Sequence, residues 1–446
     1  MSEHKDITAQ PPSSLDAFSF YNPTKILFGK GMNKQIGKEI SMRKHTNVLL
    51  VAGGGSIKKN GVYEEVTQSL KENGVEWTEL WGVQPNPVLS KVYEGIEIVR
   101  KSSPAITAIL AVGGGSVIDT CKAIAGGIDH PDIWQCFEGL SALTEKIYPL
   151  FVVCTVSATG SEMNMGCVVT NNDKKWNLKH QSLFPVATTI DPQAQYSLPW
   201  RTTKDGAIDA IVHCVEGILG AEGFEETTIA LAESLILTII QATNKLQHNP
   251  SDYTARANLC WAATLGLNGV AQVALNSGDW ATHMLEHALS SMYPELSHGT
   301  GLAILLPSYI RWVMKHKVTD SSAPSSSQTP SETVVQRRKP HLAVLRRLSR
   351  NVFGIKSGDV LEGVDAMERL FQSWGAPTRF SQLEHESKAY KMMLTCSKGK
   401  DDTVCEELNE EEAKVLAKRY FAKKYQGSNG KLEENDVVDW VRLASK

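Results

Sequence analysis

Residues 106–125 read ITAILAVGGGSVIDTCKAIA. Residues 106–112 are all apolar or β-branched; three glycines and a serine follow, and then a stretch with helical spacing. A strand with no polar face has no side for water, so it belongs inside a parallel sheet covered by helices on both faces. NVLLVA (47–52) has the same character and also runs into GGGS. VEWTELW (75–81), PLFVVCT (149–155) and VATTIDP (186–192) read as further strands. VYEEVTQSLKENG (62–74) and VLSKVYEGIEIVRKS (88–102) read as the helices between them. This alternation predicts an α/β dinucleotide-binding domain with a parallel sheet over residues 1–195.

Beyond Asp191-Pro192 the strand pattern stops. Helical spacing over 203–220, 225–247, 252–275, 279–292 and 300–316 predicts an all-α second domain, residues 196–446. DSSAPSSSQTPSET (320–333) carries almost nothing apolar, so a disordered loop is expected at 318–338, with the basic QRRKP (336–340) as the solvated start of the next helix. A chain of 446 residues can bury two cores. A formal net charge of -3 gives no reason to expect nucleic acid or an anionic membrane as partner. No stretch approaches the ~20 apolar residues needed to span a bilayer; the richest, AITAILAV (105–112), is strand-sized. The start MSEHKDITAQPPSSLD lacks a basic and an apolar region, and eight cysteines occur without any C-x-x-C, so a cytoplasmic protein with reduced thiols is expected.

Gly53-Gly54-Gly55-Ser56 and Gly113-Gly114-Gly115-Ser116 each end a strand and precede a helix. Such a turn lets backbone N–H groups approach an anion, helped by the partial positive charge of a helix N-terminus. Neither turn matches G-x-G-x-x-G, since Ile118 stands where the last glycine belongs. Either could be a left-handed turn with no ligand. Two of them on adjoining strand ends, with Asp119 and Lys122 after the second, favour a dinucleotide. The first turn offers Ser56, Lys58 and Lys59 and no acid, a set that suits the 2′-phosphate of NADP(H) better than the free ribose of NAD(H).

Asp209 and His213 are four apart on a helix whose other residues, Ile208, Ile211, Val212, Val215 and Ile218, are apolar. A buried carboxylate beside a buried imidazole needs a partner, either each other or an ion. His283 and His287 repeat the spacing, and His298 arrives on a separate approach after Pro294. One carboxylate with two or three neutral imidazoles would leave a divalent cation net positive, a Lewis acid for a carbonyl or alkoxide oxygen.

FYNPTKILFGKG (20–31), LLVAGGGSIKKNGVY (49–63), GVQPNP (82–87), AVGGGSVIDTCKAIA (111–125), SATGSEMN (157–164), DAIVHCVE (209–216) and DWATHMLEHALSSMY…SHGTGLAILLP, in this order, resemble the iron-containing (group III) alcohol dehydrogenases. The similarity is greatest to the NADP(H)-dependent butanol dehydrogenase and aldehyde reductase branch. It implies a dehydroquinate synthase-like fold and hydride transfer between NADP(H) and an aldehyde/primary alcohol pair. It also implies Fe2+, for which Zn2+ suits the same donors, and a homodimer. Carried over by position, the metal ligands are Asp209, His213, His283 and His298, and His287 is the unligated imidazole beside the substrate, a proton relay. Gly114, Gly115 and Ser116 hold the pyrophosphate, Asp119 faces the nicotinamide side, and Gly54, Gly55 and Ser56 face the adenosine ribose. Asn86, Thr155, Thr159 and Lys175 are further cofactor contacts. The interval from His283 to His298 is one residue longer than the family's, and the tail from about residue 380 matches only loosely. A metal- and NAD-dependent lyase or cyclase on the same fold is the alternative; the apolar residues beside the ligands (Ile211, Val212, Met284, Leu285) argue against the phosphate-binding cluster it would need.

Overall fold

The computed structural model describes residues 17–144, 147–221, 225–275, 278–317, 332–384, 387–398, 404–422 and 432–445. In the first half the strands are β1 (Lys25–Phe28), β2 (Asn47–Ala52), β3 (Glu76–Leu80), β4 (Ala108–Gly113), β5 (Leu150–Cys154), β6 (Gly166–Asn171), β7 (Lys174–Lys179) and β8 (Ala187–Ile190). Six of them form one parallel sheet in the order β1-β8-β5-β4-β2-β3. Every residue of β2 and β4 is buried. Alternation divides each strand between two cores: Val48, Leu50, Ala108, Leu110 and Val112 face one, Leu49, Val51, Ile109 and Ala111 the other. The unbroken apolar runs follow from this, because both faces are covered.

Chain direction across the sheet reverses between β2 and β4: β2 leads to β3 on one side, β4 to β5 on the other. A doubly wound sheet opens a crevice at such a switch point, outside the carboxyl ends of the strands. Both GGGS turns lie there, one after β2 and one after β4.

The helices Trp200–Leu219, Glu226–His248, Tyr253–Leu267, Ala281–Met292 and His298–Lys317 enclose a separate core. Several details depart from expectation. The antiparallel hairpin β6–β7 was not foreseen; its two-residue turn places Asn172 at φ +55, a conformation asparagine tolerates. The helix expected to reach 275 stops at Leu267, because Gly269 takes φ +99. The second half is mostly rather than wholly helical, since β9 (Leu394–Lys398) and β10 (Val404–Leu408) pair antiparallel. Of the loop expected at 318–338, residues 318–331 lie outside the described residues, as do 1–16 at the start of the chain. From Glu332 the chain is already helical to Asn351, since extending a formed helix costs far less than starting one.

Among the described residues one helix, Glu226–His248, is long and apolar enough by length and composition alone to cross a bilayer, but 50% of its most apolar window is buried inside the protein. Its apolar residues have another use. Ile229, Ala232, Ile236 and Ile239 are buried in the helical core, and Glu233 on the same helix accepts from Arg347 Nε at 2.8 Å.

The two halves meet where Gly206, on the Trp200–Leu219 helix, faces the carbonyl of Ser157; a Cβ there would lie 2.2 Å from that oxygen. Thr264 Oγ1 also donates to Glu162 Oε1 at 2.5 Å. Alanine at position 206 would gain up to about 1 kcal/mol in helix propensity, but a clash with backbone costs about 1–3 kcal/mol. Gly206→Ala is therefore expected to lower the melting temperature and raise the KM for nucleotide. An unchanged Tm with unchanged KM would contradict this close approach.

Candidate metal centre and nucleotide cradle

Asp209, His213 and Glu216 lie at i, i+4 and i+7 of the Trp200–Leu219 helix, so they share one buried face. The helix Ala281–Met292 contributes His283, Glu286 and His287, and His298 opens the helix His298–Lys317. The Nε2 atoms of His213, His283 and His298 stand 3.3, 3.4 and 3.5 Å from Oδ1 of Asp209. These distances are long for N–H···O bonds, which prefer about 2.7–3.2 Å. They match the three edges that run from Asp209 in a ligand tetrahedron around an ion: with bonds of about 2.1 Å such an edge is about 3.4 Å. Asp209, His283 and His298 form a set whose ligating atoms all lie within 4.8 Å of one another; His213 is outside that set and approaches it at Asp209. His287 is grouped with His298 and Glu286, its ring centroid 5.6 Å from that of His298.

Two carboxylates orient the rings. Glu216 Oε2 accepts from Nδ1 and from the backbone N–H of His283, while Oε1 accepts from Thr282 N at 2.7 Å. Glu216 thus ties down the first turn of one helix from another. Glu286 Oε2 binds Nδ1 of His298 and accepts from Lys175 Nζ at 3.3 Å. A carboxylate on Nδ1 leaves the Nε2 lone pair directed inward, as metal-binding imidazoles require. With neutral imidazoles, Asp209, Glu216 and Glu286, the carboxylates in contact with these rings, exceed the Lys175 ammonium paired with Glu286 by two negative charges; Lys179 and Asp279 farther out add one charge of each sign.

Without an ion, protons carry part of that compensation. Burial opposes charge on His283, but Glu216 and Asp209, one at each nitrogen, push it up to about 9. His213, dominated by burial, is pushed down to about 3. Burial also opposes the charge of Glu286, yet His298 and Lys175 pull it down to about 2. Sequence reading passed over Glu216 and Glu286. The available signal was an acid at helical spacing from a ligand on an otherwise apolar face.

On the nucleotide side the two glycine turns differ physically. Gly55 takes φ +99, a left-handed conformation that strains other residues, and the space around it is open. At Gly114 and Gly115 the demand is room: an added Cβ would lie 2.9 Å from Val156 and 2.6 Å from Thr159. Gly114, Gly115 and Ser116 remain partly exposed at the start of the helix Gly115–Gly127. Thr155 donates its N–H to the Gly113 carbonyl at 3.0 Å, and Asn86 is held at φ +55 in the turn after β3. Asp119 is committed elsewhere: Oδ1 accepts from Ser161 at 2.6 Å and Oδ2 from Val168 N at 2.9 Å. With Lys122, which donates to Asn164 and Gly166, it pins the 159–168 segment against the second turn. Lys175, expected at the cofactor, has its ammonium on Ser290 and Glu286 of the metal-side helix.

Residues 23–192 match the iron-containing alcohol dehydrogenase family and residues 203–418 match the C-terminal region of the same family. The probable NADH-dependent butanol dehydrogenase 2 of Bacillus subtilis is 36% identical over 378 residues, covering 82% of this chain and 89% of that protein. The chain belongs to the iron-containing alcohol dehydrogenases. The NADPH-dependent aldehyde reductase YqhD of Escherichia coli is 34% identical over 391 residues, 85% of this chain and 92% of that protein. Among solved structures, that of NADH-dependent butanol dehydrogenase A from Thermotoga maritima superposes with a TM-score of 0.81 at 36% identity, covering 96% of this chain and 99% of that one. The glycine turns and Lys175 fall in the first matched region; Asp209, His213, His283, His287 and His298 fall in the second. Family membership makes the protein an oxidoreductase of the alcohol dehydrogenase type.

Glu216→Leu strands three buried donors, on Thr282, on the His283 backbone and on its ring. Each orphaned group costs about 1–3 kcal/mol, so this variant should lose at least about 2 kcal/mol in chemical denaturation, with Glu216→Gln losing less. Wild-type stability in Glu216→Leu would remove this role.

Proposed function

We propose that the protein reduces aldehydes to primary alcohols, preferring NADP(H) over NAD(H), with a divalent cation held by Asp209, His213, His283 and His298. The observation that carries this is the single Asp209 oxygen with three imidazole nitrogens 3.3–3.5 Å away, on helices that abut the Ser157 loop of the cradle. A Lewis-acidic ion in that position, Fe2+ by family expectation or Zn2+ by donor chemistry, polarises a carbonyl oxygen when bound. The backbone N–H groups of Gly114, Gly115 and Ser116 receive the pyrophosphate at a helix N-terminus. Thr155, Thr159 and Asn86 line its approach. Asp119 acts on the nicotinamide pocket by positioning, since both its oxygens hold the 159–168 segment. His287, buried beside His298, hands a proton from an imidazole nitrogen to the forming alcohol.

For the 2′-phosphate, Ser56 is exposed at the start of the helix Ser56–Lys59 behind Gly54 and Gly55. Lys58 Nζ lies 4.1 Å from the ring centre of Trp81 and 4.9 Å from that of Tyr63, so its charge is held beside the turn. Glu79, the acid at the neighbouring strand end, is occupied by Tyr63, Trp77 and Trp81. A homodimer would use the outer edge of β1, beside the exposed Phe18, Phe20 and Tyr21. Among the described residues, the buried Cys121, Cys136, Cys154, Cys167, Cys214 and Cys260 form no disulfide, which suits a cytoplasmic setting.

Anaerobic kinetics with a series of aldehydes, Fe2+ against Zn2+ and NADPH against NADH, test the assignment. Aldehyde-dependent NADPH oxidation, lost on chelation and restored by metal, is expected; failure with every aldehyde would overturn it. His283→Ala should lose metal retention while still binding nucleotide, and full metal occupancy in that variant would exclude His283 as a ligand. Ser56→Asp should shift the NADPH/NADH ratio of kcat/KM toward NADH by at least about tenfold, as repulsion worth about 1.4 kcal/mol implies. An unchanged ratio would remove Ser56 from the phosphate site.

A further inference from the structure

Lys175 lies on β7, in the nucleotide half of the chain, but its side chain ends in the other half. It is 6% exposed, with Nζ 2.8 Å from Ser290 Oγ and 3.3 Å from Glu286 Oε2. The same Glu286 oxygen holds Nδ1 of His298. The other oxygen, Oε1, is buried and has no hydrogen-bond partner among the described residues. A Cβ on Gly301 would lie 2.8 Å from Glu286 Cγ, so the His298–Lys317 helix packs directly on this side chain.

His298 is the ligand in most need of support. Its side chain is 25% exposed, against 5% for His213 and 8% for His283, and it begins a helix rather than sitting inside one. Glu286 fixes its ring, and Lys175 fixes Glu286. Leaving that ion pair would strand two buried charges, so the carboxylate is confined to one arrangement. An ammonium has three N–H donors, and Ser290 and Glu286 use two of them.

We propose that Lys175 is a positioning residue for the metal centre, acting through Glu286 on His298, and that its remaining donor makes nucleotide and metal binding interdependent. The second clause rests on the nucleotide reading given above. A dinucleotide in the cradle that takes the third N–H orders the lysine. Whichever ligand binds first then leaves less ordering for the other, and the coupling is reciprocal.

The test is zinc affinity of the full chain, measured by competition with a chelator, with and without saturating NADPH. In the wild type NADPH should tighten Zn2+ by at least about fivefold. Lys175→Met should weaken Zn2+ by at least about tenfold and abolish the NADPH effect while its far-UV spectrum stays near wild type, with a lowered Tm because Glu286 loses its buried partner; Lys175→Arg should restore part of both. The double variant Lys175→Met/Glu286→Gln should bind zinc no more weakly than Glu286→Gln alone. If Lys175→Met does not fold, Ser290→Ala, which removes the other hold on the ammonium, should shift zinc affinity in the same direction. Zinc affinity within twofold of wild type in Lys175→Met, or in Ser290→Ala where that variant is used, would overturn the proposal, as would additive losses in the double variant. A wild type that binds both ligands with no coupling would overturn the interdependence alone. A wild type that binds zinc but no nicotinamide nucleotide would overturn the nucleotide reading itself.

Discussion

A single buried carboxylate oxygen, Oδ1 of Asp209, has three imidazole nitrogens within 3.5 Å. Neither an aqueous environment nor good hydrogen-bond geometry accounts for that arrangement, and a buried anion without compensation is costly. A proton on His283, favoured by Glu216 and Asp209 on its two nitrogens, would meet part of the need. A divalent cation would meet the rest, because the carboxylates in contact with these rings outnumber Lys175, the ammonium paired with one of them, by two. The centre is built as a shell within a shell: Glu216 and Glu286 bind the outer nitrogens of His283 and His298, and Glu216 also anchors the first turn of the helix that carries His283.

The rest of the fold brings this centre to the crevice of a doubly wound sheet. The reversal between β2 and β4 puts both glycine turns at the carboxyl ends of neighbouring parallel strands, where a doubly wound sheet forms its crevice. The helical half docks there because Gly206 has no side chain to hold it away from Ser157, and because Thr264 and Glu162 satisfy each other across the seam. Asp119 and Lys122 hold the same loop from the sheet side. One short segment, 155–168, thus belongs at once to the cradle and to the seam.

Much of the framework was legible in the sequence because it depends on local patterns. The apolar runs of β2 and β4 announce strands covered on both faces, and the i, i+4 spacings announce which side chains share a helix face. Contacts between distant segments were less accessible. Glu216 and Glu286 are unremarkable acids until three helices are packed, since their partners lie 67 and 12 residues away in the chain. Lys175 was read for its nucleotide side only, and its bond to Glu286 spans 111 residues. The β6–β7 hairpin is hidden in the sequence because its strands are amphipathic, with polar residues such as Lys174, Lys175 and Asn177 interrupting the apolar signal. The helix ending at Leu267 shows a glycine prevailing over continued apolar spacing.

X-ray absorption at the metal edge of protein reconstituted with one equivalent of Fe2+ or Zn2+ examines the central claim most directly. The account predicts stoichiometric uptake and a first shell of imidazole nitrogens plus one carboxylate oxygen, with multiple scattering from three histidine rings. Sulfur in the first shell, a shell of water oxygens without imidazole scattering, or no stoichiometric uptake would contradict it.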